Sequence, residues 1–255
     1  MGKLIQVNTA RPLRRIFPHR QESDLKMTSP VMGPLESREV LIPPLGLAGT
    51  LRIPRRAKAV VVFVHGSGSS RFSPRNIAVA EALAAEGFAT LLFDLLTADE
   101  EADRRNVFDI GLLTLRLIDA VRWLDGEPAL ADRKLGLFGA STGAAAALMA
   151  AAHLGGRVGA VVSRGGRPDL AGEDALERIR TPTLLIVGGA DHEVIKLNQL
   201  AFDRLHGTKS LVIVPHATHL FPEKGALEAV IDHATRWFVR HLDTRPPKEA
   251  RSGEE

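Results

Sequence analysis

The sequence predicts an α/β protein: a mostly parallel eight-stranded sheet with helices on both faces and no large cap domain. Three observations carry this. From residue 38 onward, short apolar runs of strand length alternate with longer stretches of helical period. Some of the runs, such as "AVVVFVH" at 59–65, are apolar throughout rather than alternating, which is the pattern of strands covered on both faces. Polar residues with chemical potential, Ser141, Asp191 and His219, each follow directly on such a run. In open parallel sheets, that carboxyl end is where sites form.

In chain order, "REVLIP" (38–43) and "GTLRIP" (49–54) read as two opening strands, and 59–65 as the third. "NIAVAEALAAEGF" follows as a helix stopped near Gly87, then "ATLLFD" (89–94) as a strand. "FDIGLLTLRLIDAVRWLDG" (108–126) is a helix ended by Gly126. Leu135, Leu137 and Phe138 mark the fifth strand, and Ala144 through Ala152 a helix of strong formers. The last three strands fall within 158–166, 181–191 and 209–219, separated by helical patterns near 172–180 and 195–206. A closing amphipathic helix is expected from about Pro222 to Leu242. Between the sixth and seventh strands, residues 163–182 leave room for one short helix, so the site should be open.

Composition narrows the function classes. A chain of 255 residues, 45% hydrophobic and 25% charged, is a globular protein with one main domain, expected at 36–242. The net charge of +3 would suit nucleic acid, but residues 1–26 alone carry six basic residues against Glu22 and Asp24. The remainder is therefore slightly acidic, and no nucleic-acid partner is expected. Residues 1–35 read as a basic, disordered leader and 243–255 as a polar tail, because neither has a core-forming period. Met27 is an alternative start. With no secretory or membrane-spanning apolar stretch, a cytoplasmic protein with no membrane partner is expected. Zero cysteines remove disulfides, thiolate metal sites and a cysteine nucleophile. "HGSGSS" lacks a phosphate-loop lysine, and no histidine cluster has metal-ligand spacing, so no cofactor and no metal are expected. The state of association stays open, a homo-oligomer included.

The chemistry centres on "GLFGASTGAAAALMAA", residues 136–151. Gly139-Ala140-Ser141-Thr142-Gly143 is G-x-S-x-G, a sharp strand-to-helix turn that lifts a serine out of the backbone path. A serine needs a base, and the base needs a carboxylate to fix its tautomer. Asp191 in "LLIVGGAD" and His219 in "LVIVPHATH" supply these in the order Ser, Asp, His. Asp169 is an alternative carboxylate and His216 a rival base. His65 reads as structural and "ADEEAD" (98–103) as a solvated loop, while Arg164 and Arg167 read as ion-paired near the sheet or as facing the pocket.

On "HGSGSS", "GASTG", "GGAD" and "ATH", residues 36–242 resemble the α/β-hydrolase superfamily, and within it the small cap-less proteins grouped with dienelactone hydrolases. The resemblance implies Ser141 as nucleophile, His219 as general base and then acid, and Asp191 as orienting carboxylate. It also places the oxyanion loop after the third strand. That gives the backbone N–H groups of Thr142 and Ser67 as oxyanion donors, with Gly68 as the fallback. Dienelactone hydrolases proper use a cysteine nucleophile, and this chain has none. A serine esterase acting on a small-molecule ester is therefore the expected activity. A lactonase, an acyltransferase and a non-catalytic binding protein on the same fold are the alternatives.

Overall fold

A computed structural model describes residues 35–243; the expected leader up to residue 34 and the expected tail from residue 244 lie outside the described residues, whereas Leu35 already belongs to the first strand and Asp243 ends the last helix. Eight strands form one sheet: β1 (Leu35–Ile42), β2 (Leu47–Pro54), β3 (Val60–Val64), β4 (Ala89–Phe93), β5 (Leu135–Ala140), β6 (Val158–Arg164), β7 (Thr183–Gly188) and β8 (Lys209–Val214). Their spatial order is β1-β2-β4-β3-β5-β6-β7-β8. β2 runs antiparallel to both its neighbours, and the pairs from β4 to β8 are all parallel. The chain goes outward from β3 to β4 and then crosses back to β5, so β3 and β5 flank the topological switch, where a crevice opens at the strand ends.

The helices are α1 (Pro74–Ala85), α2 (Ala98–Ala102), α3 (Arg104–Val107), α4 (Ile110–Asp125), α5 (Thr142–Leu154), α6 (Glu173–Arg178), α7 (His192–Arg204) and α8 (Ala226–Leu242). Strand alternation sends Val60, Val62 and Val64 into one core with α4 and α5, and Val61 and Phe63 into the other with α1 and α8. α5 is buried nearly all round: Ala144 to Ala147, Leu148 and Ala150 are fully enclosed. Its small side chains let it lie close against the middle of the sheet. Among the described residues, the connection from β6 to β7 holds a short 3-10 turn at Pro168–Ala171 and the six-residue α6, and no cap domain.

Two expectations shift. The acidic stretch 98–103 is not a loop: it forms α2, started by a reciprocal capping box in which Thr97 Oγ1 accepts from Glu100 N and Glu100 accepts from Thr97 N. The T-x-x-E spacing at 97–100 is the signal for it. The closing helix begins at Ala226 rather than near Pro222, because Gly225 stands at φ 83° and turns the chain into it.

The close approach of β5 and α5 to β3 depends on missing side chains. A Cβ on Gly143 would lie 2.2 Å from Val64 O and 2.3 Å from His65 O, and one on Gly139 would lie 2.4 Å from Ala144 Cα. These atoms are backbone and cannot swing aside. Gly143→Ala should lower the unfolding free energy by about 3 kcal/mol or more. Gly156→Ala, where a Cβ would meet nothing within 4 Å, should change it by less than about 0.5 kcal/mol. Urea denaturation of both variants checks the contrast, and equal effects would contradict it.

Candidate active site

Ser141 occupies the corner between β5 and α5 at φ 50°, ψ −123°. For a residue with a side chain this conformation is strained, typically by 1–3 kcal/mol, and it persists only where the surroundings enforce it. Three contacts do so. Ser141 N donates to Arg164 O (3.2 Å), and Ser141 O accepts from Ala144 N (3.1 Å) and from Arg167 N (3.0 Å). The helix N-cap role open to a serine here is not taken, since the side chain makes no cap hydrogen bond. The hydroxyl is therefore left for another partner.

That partner comes from the loop after β8. His219 Nε2 lies 3.4 Å from Ser141 Oγ, and His219 Nδ1 lies 2.7 Å from Asp191 Oδ2. The histidine is 39% exposed and the carboxylate 17%. The short bond to the carboxylate fixes the proton on Nδ1 and presents Nε2 to the serine as an acceptor. The two loops meet because β7 ends in Gly188, where a Cβ would stand 2.3 Å from Ala217 O. Backbone bonds from Gly189 N to Val214 O (2.8 Å) and from Ala190 N to Ala217 O (2.9 Å) lock them.

The rival residues are otherwise engaged. Asp169 accepts two hydrogen bonds from Arg167, at 2.9 and 2.7 Å, so the expected ion pairing of Arg167 is found and the Asp169 carboxylate is engaged by it. His216 stands exposed in the turn at φ 61°. Arg164 departs from expectation: it is buried, yet among the described residues it has no carboxylate partner.

The loop after β3, expected to supply oxyanion donors, differs in one detail from the sequence reading. Ser67 N does face Thr142, but it donates to the Thr142 hydroxyl (2.9 Å) instead of standing free. A threonine at that position offers a local acceptor, which a backbone-only reading of the loop overlooks. The Thr142 amide opens α5, where first-turn N–H groups have no acceptor within the helix. Gly68, at φ 67°, is exposed. Beside this loop lies a small pocket, with about 20 Å³ of free space, lined by Leu95, Leu96, Val107 and Leu113 together with Asp94 and Glu101.

Sequence reasoning missed two supports. Asn198, fully buried on α7, donates to Gly166 O (2.9 Å) and so pins the loop after β6. Arg71 binds the Asp94 carboxylate with its guanidinium and its backbone amide, tying the loop after β3 to the end of β4. Both are polar residues in helix or loop context, with no local motif to single them out. Among the described residues, no group of three or more His, Cys, Asp or Glu side chains is arranged to hold a metal, and no helix is long and apolar enough to cross a membrane.

Fold and site together define an α/β hydrolase without a cap. The chain belongs to the dienelactone hydrolase family, whose pattern matches residues 47–240. It is similar to a dienelactone hydrolase from Anabaena variabilis ATCC 29413, at 51% identity over 83% of this chain and 99% of that one, with a TM-score of 0.78. An α/β serine hydrolase without a lid from Xanthomonas campestris shares the fold at 22% identity, covering 84% of this chain and 99% of its own, with a TM-score of 0.67. A Mycobacterium tuberculosis H37Rv protein, provisionally named a phosphoribosyl transferase, is 56% identical over 207 residues, 81% of this chain and 46% of that protein. The chain thus spans about half the length of the curated relatives it matches.

His65 ties this region together. Its Nδ1 donates to Gly66 O (3.0 Å) and its Nε2 accepts from Leu95 N (3.2 Å), which requires the neutral ring. Burial pushes its pKa below 6.5, against smaller raising effects from the Gly66 carbonyl and Asp94. A folded pKa below the unfolded one gives stability that is present above pH 6.5 and lost as pH falls through the folded value. His65→Gln should therefore show a flatter decline of unfolding free energy below pH 6.5 than the parent. Parallel declines in urea titrations at several pH values would refute this.

Proposed function

We propose that the protein is a serine hydrolase of carboxylic esters, working through an acyl-enzyme on Ser141. The observation that carries this reading is the hydrogen-bonded line from Asp191 through His219 to a serine held at positive φ. Ser141 Oγ attacks the ester carbonyl carbon as its proton passes to His219 Nε2, and Asp191 stabilises the imidazolium. The carbonyl oxygen becomes an oxyanion facing the Thr142 amide and the Ser67 amide, where it competes with the Thr142 hydroxyl for the latter. Collapse expels the alcohol, which takes the proton from His219. Water then attacks the acyl group, giving its proton to His219, and the acid leaves as Ser141 regains its hydrogen. The 3.4 Å serine-to-histidine separation is long for a hydrogen bond, as is common before substrate tightens such a site.

Water as acyl acceptor fits an open site in which the histidine is 39% exposed. The name of the mycobacterial relative describes a protein about twice as long, and we do not carry phosphoribosyl transfer over to this chain. A cytoplasmic, cofactor-free enzyme acting on a small-molecule ester completes the reading.

A chain-length series of p-nitrophenyl esters, run beside lactones, tests the activity and separates esterase from lactonase. Within it, Asp191→Asn should lower kcat by about 10⁴-fold, the effect of losing the tautomer-fixing carboxylate. Asp169→Asn should keep most activity. A dead Asp169→Asn beside an active Asp191→Asn would overturn the assignment.

A further inference from the structure

The loop that carries His219 runs from Pro215, after β8, to Gly225, before α8. It bends through two residues with side chains in the left-handed region, His216 at φ 61° and Phe221 at φ 56°. For a bulky residue that conformation is costly and persists only where the surroundings enforce it. Of the described residues 218–225, Phe221 alone is buried, at 2% exposure, while its neighbour Leu220 is 47% exposed. Between Ala217 and Ala226 the loop therefore has a single anchor in the core.

Around that anchor the loop is closed on itself. Thr218 Oγ1 donates to Glu223 Oε1 (2.7 Å), Phe221 N to Thr218 O (3.1 Å) and Ala226 N to Glu223 O (2.9 Å). The Phe221 ring belongs to the core layer of Val162, Ile186, Val214 and Ala217, and it borders Gly165. A Cβ on Gly165 would lie 3.4 Å from Phe221 Cε2 and 2.9 Å from His219 O. Gly165 in turn follows Arg164, whose carbonyl holds the Ser141 amide, and its own N–H is fixed to Ile186 O (2.8 Å). One ring thus stands between the backbone that sets the serine and the loop that presents the histidine.

We propose that Phe221 is the positioning residue of the general base: its ring, seated against Gly165, sets how far His219 Nε2 stands from Ser141 Oγ, a separation of 3.4 Å. Phe221 supplies no atom to the reaction and acts through His219. Asp191 holds one ring nitrogen of the histidine, but a bond at that end leaves the loop backbone free to carry the imidazole toward or away from the serine. The buried ring two residues on removes that freedom. A shorter side chain lets the loop settle into the vacated space and draws His219 with it, and a misplacement of about 1 Å in a catalytic group can cost about 10²-fold in rate. The consequence for turnover rests on the ester-hydrolase reading, whereas the placement of the imidazole does not.

The test compares Phe221→Leu with Phe88→Leu, a change at an equally enclosed phenylalanine of the same core layer, just before β4. Both variants should lose a few degrees of melting temperature. With p-nitrophenyl acetate, Phe221→Leu should lower kcat by about ten- to a hundredfold while KM changes by less than about twofold. Phe88→Leu should leave both constants near those of the parent. The second readout needs no turnover: the proton NMR signal of the His219 Nδ1–H shared with Asp191, assigned by its loss in Asp191→Asn. It should be sharp in the parent and in Phe88→Leu, and shifted or broadened in Phe221→Leu. The proposal stands if both readouts separate the two variants and is overturned if either does not, since equal effects are those of a packing residue alone. If the parent turns over no ester, the ester-hydrolase reading falls and the NMR signal by itself decides the positioning. Should Phe221→Leu fail to fold, Phe221→Met, closer in volume, is read by the same criteria.

Discussion

The backbone of Ser141 is the constraint from which the rest of the site follows. A serine at φ 50° is costly in isolation, and here three strands and a helix hold it there. β5 brings the chain to the carboxyl end of the sheet beside β3, α5 leaves at once, and Gly143 lets the two pass within backbone contact of Val64 and His65. The strain places the hydroxyl above the strand ends rather than in a helix cap.

Four other loops are arranged around that corner, fixed by three different means. The loop after β6 is sewn to Ser141 by its own backbone and to α7 by Asn198. The loops after β7 and β8 are pressed together at Gly188. The loop after β3 is anchored by His65 and by the pairing of Arg71 with Asp94. Each device satisfies polar groups that the strand ends would otherwise leave unpaired. Stability and geometry are therefore served by the same bonds, and a small pocket beside Ser67 is lined by the same loop.

The sheet, its helices and their order are legible in the sequence because each strand announces itself as an apolar run and each helix as a period. The residues that converge were legible for a related reason: Ser141, Asp191 and His219 sit at strand ends, and topology brings strand ends together. What escaped reading depends on side chains meeting across the fold. The Thr142 hydroxyl accepting the Ser67 amide, Asn198 reaching Gly166, and Arg164 buried without a carboxylate leave no local pattern. α2 is the exception, since Thr97 and Glu100 do spell a capping box, but the surrounding acidic run reads first as solvated chain. The choice between Asp191 and Asp169 was likewise beyond spacing, and turned on Arg167 claiming the second.

The central claim is that the strained serine, and no other nucleophile, forms the covalent intermediate. Treating the protein with a fluorophosphonate and mapping the adduct by peptide mass spectrometry tests it directly. The account predicts a single stoichiometric adduct on Ser141, lost in Ser141→Ala. An adduct on any other residue, or full labelling of Ser141→Ala, would contradict it.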